Sequence, residues 1–300
     1  MSSSSPTFGL ALGGGGVRGL AHIGVLKALE REQIPIHFIA GTSMGGLIAA
    51  AYAAGLSPEE IEEEALRLAN PRRLITFLDR SLPRRGLIQG QKVMKYLSEW
   101  LGEITFQDLR VQLALIAVDL KKGDKIVLRE GKVLEAVRAT MALPGVFAPV
   151  ERDNQLLVDG GLLDNIPADV VRQMGADVVI AVDTSTGAEA LAVLIEDMYR
   201  RRFLPDRLVG LMEVIWRSVT VMASEISSRC LEVGQPDLLL RPSIPQAVTT
   251  LTGFTHAREV ISSGERAMEE ALPSLRKTLG KDQDPLEHMT KATKEAAPTD

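Results

Sequence analysis

Apolar residues along this chain fall into short unbroken runs that alternate with stretches of helical spacing. The run 8–12, FGLAL, stops at four glycines and predicts a buried strand. Residues 18–32 then carry Leu20, Ile23, Leu26 and Leu29 at helical spacing. A second apolar run over 37–40 closes on Gly41-Thr42-Ser43. The Ala-rich helix predicted over 44–54 stops at Gly55, a C-cap. Ser57-Pro58-Glu59-Glu60 spells a capping box with Pro at the first helical position, and it opens a helix to about 69. Further strands are predicted over 113–118, 125–128, 156–158 and 176–182, with helices over 133–141 and 167–174. The remainder reads as helical over about 188–230 and 255–279, with a short strand at 238–240. Strands alternating with helices predict an α/β fold with a mostly parallel sheet covered on both faces.

Composition narrows the function classes. A chain of 300 residues can bury a full core in one large α/β domain or in two small ones. The Ser-rich residues 1–7 and the polar residues 280–300 are expected to be disordered, leaving 8–279 as a single domain. A net charge of −5 and an aromatic content of 4% argue against nucleic acid as a partner. Cys230 is the single cysteine, so no intrachain disulfide can form, and its helical surroundings, SSRCLEV, make it a poor nucleophile. The start lacks the basic and apolar regions of a signal peptide, and no stretch approaches about 18 uninterrupted apolar residues. The expected location is cytoplasmic, with peripheral attachment to a membrane surface left open. No Cys or His cluster has metal-ligand spacing, so neither a metal nor another cofactor is expected.

Gly41-Thr42-Ser43-Met44-Gly45 matches the G-x-S-x-G elbow, in which a strand turns sharply into a helix with serine at the corner. Side chains at Gly41 and Gly45 would collide with neighbouring backbone there. The helix that follows places its N-terminus under Ser43, which favours negative charge developing at that point. A second strand-to-helix junction is Gly13-Gly14-Gly15-Gly16-Val17-Arg18-Gly19. Its backbone N–H groups can turn inward as an anion-binding nest. Gly14, Gly16 and Gly19 also spell G-x-G-x-x-G, the fingerprint of a nucleotide-binding oxidoreductase. That fingerprint wants an acid about 20 residues on, at the end of the second strand. Here the second strand ends in Ser43, so an oxyanion hole is the better reading. Arg18 either adds charge or holds the loop.

The base is less obvious. A serine elbow ordinarily pairs with histidine. His22 lies in a helix, His37 starts a strand at the wrong end, and His288 is in the polar tail; His256 alone follows Ser43 in a loop-like place. Asp159 follows a short strand and precedes Gly160-Gly161, and a poorly solvated carboxylate within reach can also take a serine proton. Asp119 and Asp183 end strands too and are rivals on spacing alone.

The segments GGGGVRGLAHIGVLKALE, AGTSMGG, ALPGVFAPV and VDGGLLDNIP, in this order, resemble the patatin-like phospholipase family, in its bacterial branch near the neuropathy-target-esterase catalytic domains. The resemblance implies a three-layer α/β/α fold with a helical C-terminal part and a Ser-Asp dyad without histidine. It implies Ser43 as nucleophile, Asp159 as base, and an oxyanion hole at Gly14, Gly15 and Gly16 with Val17 and Arg18 beside them. Gly41, Met44, Gly45, Gly160 and Gly161 would support the elbow and the aspartate turn. Replacing any one histidine would then leave the chemical step nearly intact. The implied substrate is a lipid or simple acyl ester, and a homodimer is compatible with the sequence. A catalytically inactive lipid-binding regulator on the same fold is the remaining alternative. Residues 67–95 mix Arg72, Arg73, Arg80, Arg84, Arg85 and Lys92 with apolar side chains. That segment is expected to be mobile and to border the site, where it suits an anionic lipid surface as well as a solvated connection.

Overall fold

The computed structural model describes residues 6–69, 90–185, 206–248 and 253–278. The basic segment read over 67–95 falls mostly on residues 70–89, outside the described residues, as do 1–5 and the polar tail. Among the described residues the strands are β1 (Phe8–Leu12), β2 (Phe38–Thr42), β3 (Gln112–Asp119), β4 (Asp124–Leu128), β5 (Val150–Arg152), β6 (Gln155–Asp159), β7 (Val178–Val182) and β8 (Leu238–Leu240). They form one sheet in the order β5-β6-β3-β2-β1-β7-β8, with β4 also on β3. Strands β3, β2, β1, β7 and β8 are parallel to their neighbours in that series. Strands β4, β5 and β6 pair antiparallel at one side. The sheet is therefore mixed, with a parallel centre.

Alternation along each strand sorts side chains to two cores. Leu10, Leu12, Ile39, Leu113 and Leu115 face one side, where α1 (Ala21–Arg31), α2 (Met44–Ala53), α3 (Pro58–Leu68), α4 (Gln91–Leu101), α5 (Val133–Thr140) and α8 (Ala257–Thr278) pack. Ala11, Ala40, Ala114 and Ala181 face the other, against α6 (Ala168–Gln173) and α7 (Asp206–Gly234). Small residues on that face let α6 lie close to the sheet.

Local sequence signals account for the helix ends. Ser57 accepts from the Glu60 N–H and the Glu60 side chain returns to the Ser57 N–H, the reciprocal cap expected of α3. Gly55, at φ 112°, takes the left-handed position after α2. Within the run 188–230 the described residues are helical from Asp206, and that helix continues to Gly234; residues 186–205 lie outside the described residues. Helix α4 and the short strand β5 had no clear periodic signal. Thr7, counted with the Ser-rich start, is tied down by Asp177, whose Oδ2 accepts from its N–H at 2.8 Å.

Helices α1 and α8 touch through backbone. A Cβ at Gly24 would stand 1.9 Å from the Ile261 carbonyl oxygen, so any side chain there forces the pair apart. Gly24→Ala is expected to lower stability by about 1–3 kcal/mol, the usual cost of overpacking. An unchanged melting temperature would contradict this contact.

Candidate active site

Ser43 sits at the corner between β2 and α2 with φ 55° and ψ −125°, a backbone conformation that L-residues rarely hold. Several contacts impose it. The Ser43 N–H donates to Thr140 Oγ1 at 2.9 Å, and the hydroxyl of buried Thr42 donates to the Asp164 carbonyl at 2.9 Å. A Cβ at Gly45 would lie 2.3 Å from the Leu12 carbonyl oxygen, so the α2 N-terminus can approach the end of β1 only with glycine there. Gly41 is crowded in the same way by the Gly45 carbonyl, at 2.6 Å. Met44 packs its side chain over Gly19.

Sheet register brings Asp159 to Ser43. Thr42 aligns with Ile116 of β3, and the next residue of β3, Ala117, aligns with Asp159. Strand β6 runs down β3 from beyond its end and stops at the level of the elbow. Asp159 is 3% exposed. Its carboxylate accepts from the Gly161 N–H at 2.9 Å and lines one cavity with Ser43, whose hydroxyl favours its charged form. Burial pushes its pKa up to about 6, against the pull of both groups. The turn beyond stays close to β3, where a Cβ at Gly160 would stand 2.6 Å from the Ile116 carbonyl.

The glycine loop lies beside the serine, but its members differ in what they offer. The Gly14 N–H already donates to the Asn165 carbonyl at 3.1 Å, so it is not available as the oxyanion donor expected of it. The N–H groups of Gly15 and Gly16 have no partner among the described residues, and both glycines line the cavity that holds Ser43 and Asp159. Val17 is buried in the core. Arg18 turns away, its Nε donating to the Thr184 carbonyl at 3.1 Å, so it holds the loop and does not line the cavity.

The other candidate bases are occupied elsewhere. Asp119 accepts from the Leu156 and Lys121 N–H groups, which hold its carboxyl below the usual range. Asp183 lines the cavity but accepts from Ser185 and from Arg241. His37 takes the Phe8 N–H at 3.0 Å, and His256 pairs with Glu259. His22 has a structural place in the site. It is fully buried, and its Nε2 stands 2.7 Å from the Gly13 carbonyl oxygen. A carbonyl only accepts, so Nε2 carries the hydrogen. The ring stays neutral because burial takes its pKa down to about 4. His22 is far from a base in this arrangement, yet it fixes the glycine loop.

Three residues outside the expected set also hold the site together. Thr140 has no sequence signal, because it sits in an ordinary helical stretch. Asp164 and Asn165 belong to VDGGLLDNIP and were legible as part of that motif. The Asp164 carboxyl is buried against Lys125 Nζ at 2.9 Å, and burial raises its pKa while Lys125 opposes the shift.

A cavity of about 200 Å³ opens at the C-terminal ends of β1, β2 and β7. Leu143, Leu162, Ile166, Val219, Ala223 and Leu231 supply its apolar lining, the last three from α7. Among the described residues no group of His, Cys, Asp and Glu could hold a metal ion, and no helix is long and apolar enough to cross a membrane.

The patatin-like phospholipase family model matches residues 10–172, and the chain belongs to that family. It is 38% identical over 188 residues to an uncharacterized NTE family protein of Mycobacterium tuberculosis, covering 63% of this chain and 51% of the relative. It is 35% identical over 187 residues to human patatin-like phospholipase domain-containing protein 6, covering 61% of this chain and 14% of that protein. The chain thus spans about half the length of the mycobacterial relative and a small part of the human one. The crystal structure of VipD from Legionella pneumophila has the same fold at 14% identity, with a TM-score of 0.51 over 91% of this chain and 68% of VipD.

Proposed function

We propose that this chain hydrolyses acyl esters of lipid-like substrates, with Ser43 as nucleophile and Asp159 as general base. One observation carries the reading: a buried carboxylate, with its pKa raised to about 6, lines the same cavity as a serine held at a strained strand-to-helix corner. The reading takes residues 8–279 as one hydrolase unit.

The reaction runs in two halves. Asp159 takes the Ser43 proton as Oγ attacks the ester carbonyl, and the electron pair of the carbonyl moves to oxygen. The Gly15 and Gly16 N–H groups stabilise that oxyanion, and the loss of one such donor costs about 100- to 1,000-fold in rate. Collapse of the intermediate expels the alcohol, which takes the proton from Asp159. A water then gives its proton to Asp159 as it attacks the acyl-enzyme, and collapse of the second intermediate releases the acid as Ser43 Oγ takes that proton back from Asp159. The apolar lining of the cavity suits an acyl chain. Membership of a phospholipase family supports a lipid ester over other esters, and it lends nothing to the oxidoreductase alternative.

The test is active-site labelling with a fluorophosphonate, followed by hydrolysis of p-nitrophenyl butyrate, longer esters and lysophospholipids. Expected is stoichiometric labelling that maps to Ser43, and turnover of at least one ester class. A folded protein that neither labels nor turns over any of them is the inactive regulator and overturns the proposal.

A further inference from the structure

The geometry points to Asn165 as the positioning residue that aims the Gly15 N–H into the active-site cavity. The inference rests on the acyl-transfer reading above and adds a residue to it.

The argument begins with the peptide plane. A trans peptide unit is planar, so the C=O of one residue and the N–H of the next point in opposite directions. Whatever holds the Gly14 carbonyl therefore decides where the Gly15 N–H points. The Gly14 carbonyl accepts from Asn165 Nδ2 at 3.2 Å, with the Thr184 hydroxyl further off at 3.5 Å. The amide must present its NH₂ here, because the carbonyl can only accept. On the opposite side of the same peptide, the Gly15 N–H is left without a partner among the described residues, and Gly15 lines the cavity with Ser43.

The preceding peptide is fixed too. Its carbonyl, on Gly13, is held by His22, and its N–H, on Gly14, donates to the Asn165 carbonyl at 3.1 Å. Asn165 thus grips Gly14 from both sides, with backbone and with side chain. The fit is tight, since a Cβ at Gly14 would lie 2.6 Å from Asn165 Oδ1. Such a grip matters in this loop more than elsewhere. Four consecutive glycines have wide backbone freedom, and Gly16 already adopts φ 57°. An unclamped Gly14–Gly15 peptide can rotate and carry its N–H out of the cavity. Preorganised donors stabilise the transition state because no reorientation is needed at the moment of reaction.

Asn165 is itself anchored. Its N–H donates to Ser227 Oγ of α7 at 3.3 Å. Its neighbour Asp164 receives the Thr42 hydroxyl of the elbow on its carbonyl and Lys125 on its carboxylate. One dipeptide therefore sets the glycine loop against the nucleophile.

The experiment compares wild type with Asn165→Asp, which keeps the shape and removes the donor, and Asn165→Ser, which shortens the side chain. Steady-state kinetics on p-nitrophenyl butyrate should show kcat falling about 10- to 100-fold, below the full loss of a donor, with KM within about twofold. The rate of fluorophosphonate inactivation should fall in parallel, because the phosphonyl oxygen needs the same N–H. Amide hydrogen exchange should show the Gly14 amide, which donates to the Asn165 carbonyl, exchanging faster, with the rest of the fold protected. Full kcat in either folded variant overturns the inference, and so does a raised KM at unchanged kcat, which would make Asn165 a substrate contact. If wild type shows no Ser43-dependent turnover, the acyl-transfer reading fails. The exchange rate at Gly14 still decides whether Asn165 clamps the loop.

Discussion

Asp159→Asn is expected to lower turnover about 1,000- to 10,000-fold while leaving the fold intact or making it more stable. The kinetic half follows from the loss of the proposed general base, a contribution of about 100- to 10,000-fold, while Asp183 in the same cavity is held by Ser185 and Arg241. Asparagine can serve both neighbours, with Oδ1 accepting from the Gly161 N–H and Nδ2 donating to Ser43 Oγ, but it cannot take a proton. The stability half follows from linkage. In the folded protein, burial raises the Asp159 pKa to about 6, whereas an unfolded aspartate titrates near about 3.9. Between those values the folded state holds a proton that the unfolded state has released, so stability falls as pH rises through this window and is constant above it. At neutral pH the ionised carboxylate costs about 2–3 kcal/mol, which the amide avoids. Thermal denaturation at pH 7 should therefore place Asp159→Asn level with or above wild type, and the two proteins should converge near pH 4. In wild type, kcat/KM should drop about tenfold per pH unit below about 6, as the base is protonated. A variant that keeps a tenth of wild-type activity would remove Asp159 from the reaction, and a profile with no break near that pH would move the base elsewhere.

Ser43→Ala is expected to abolish hydrolysis, with a loss of about 10⁴-fold or more, as for other enzymes stripped of a nucleophile that acts in concert with its base. Alanine keeps the left-handed strain at φ 55°, so it should change the melting temperature little. Ser43→Gly is equally dead but relieves that strain, which for a non-glycine residue costs about 1–3 kcal/mol. Its melting temperature should exceed that of Ser43→Ala by a few degrees. Equal melting temperatures would mean that the corner is not strained, and residual turnover above a tenth of wild type in either folded variant would exclude Ser43 as the nucleophile.

Much of this site is legible in the chain because its parts are local. The apolar runs at 8–12 and 37–40, each stopping at glycine, fix where two parallel strands end. Gly41 and Gly45 mark a corner that only a bare backbone can make. The capping box at Ser57 and the left-handed Gly55 are equally local. Such signals depend on residues within one turn or one strand of each other, so a single sequence contains them. The motifs in their order carried the family as well.

The choice among aspartates was not local. Asp119, Asp159 and Asp183 all end strands. Spacing does not distinguish them, because what matters is the direction of β6 and the register that sets Asp159 beside Ala117. That pairing joins residues far apart in sequence and is decided by how the antiparallel edge closes on the parallel centre. The division of labour in the glycine loop was likewise hidden. Gly14 and Gly15 are identical in composition and adjacent in sequence. Only the packing of Asn165, 151 positions away, commits the N–H of one, while that of the other has no partner among the described residues. The sequence by itself determined the elbow, the loop and the strands that present them, since glycine sterics and apolar periodicity act over a few residues. The tertiary structure decided which carboxylate meets the serine and which amides stay free, since a hydrogen-bond partner supplied from a distant segment leaves no periodic trace in the chain.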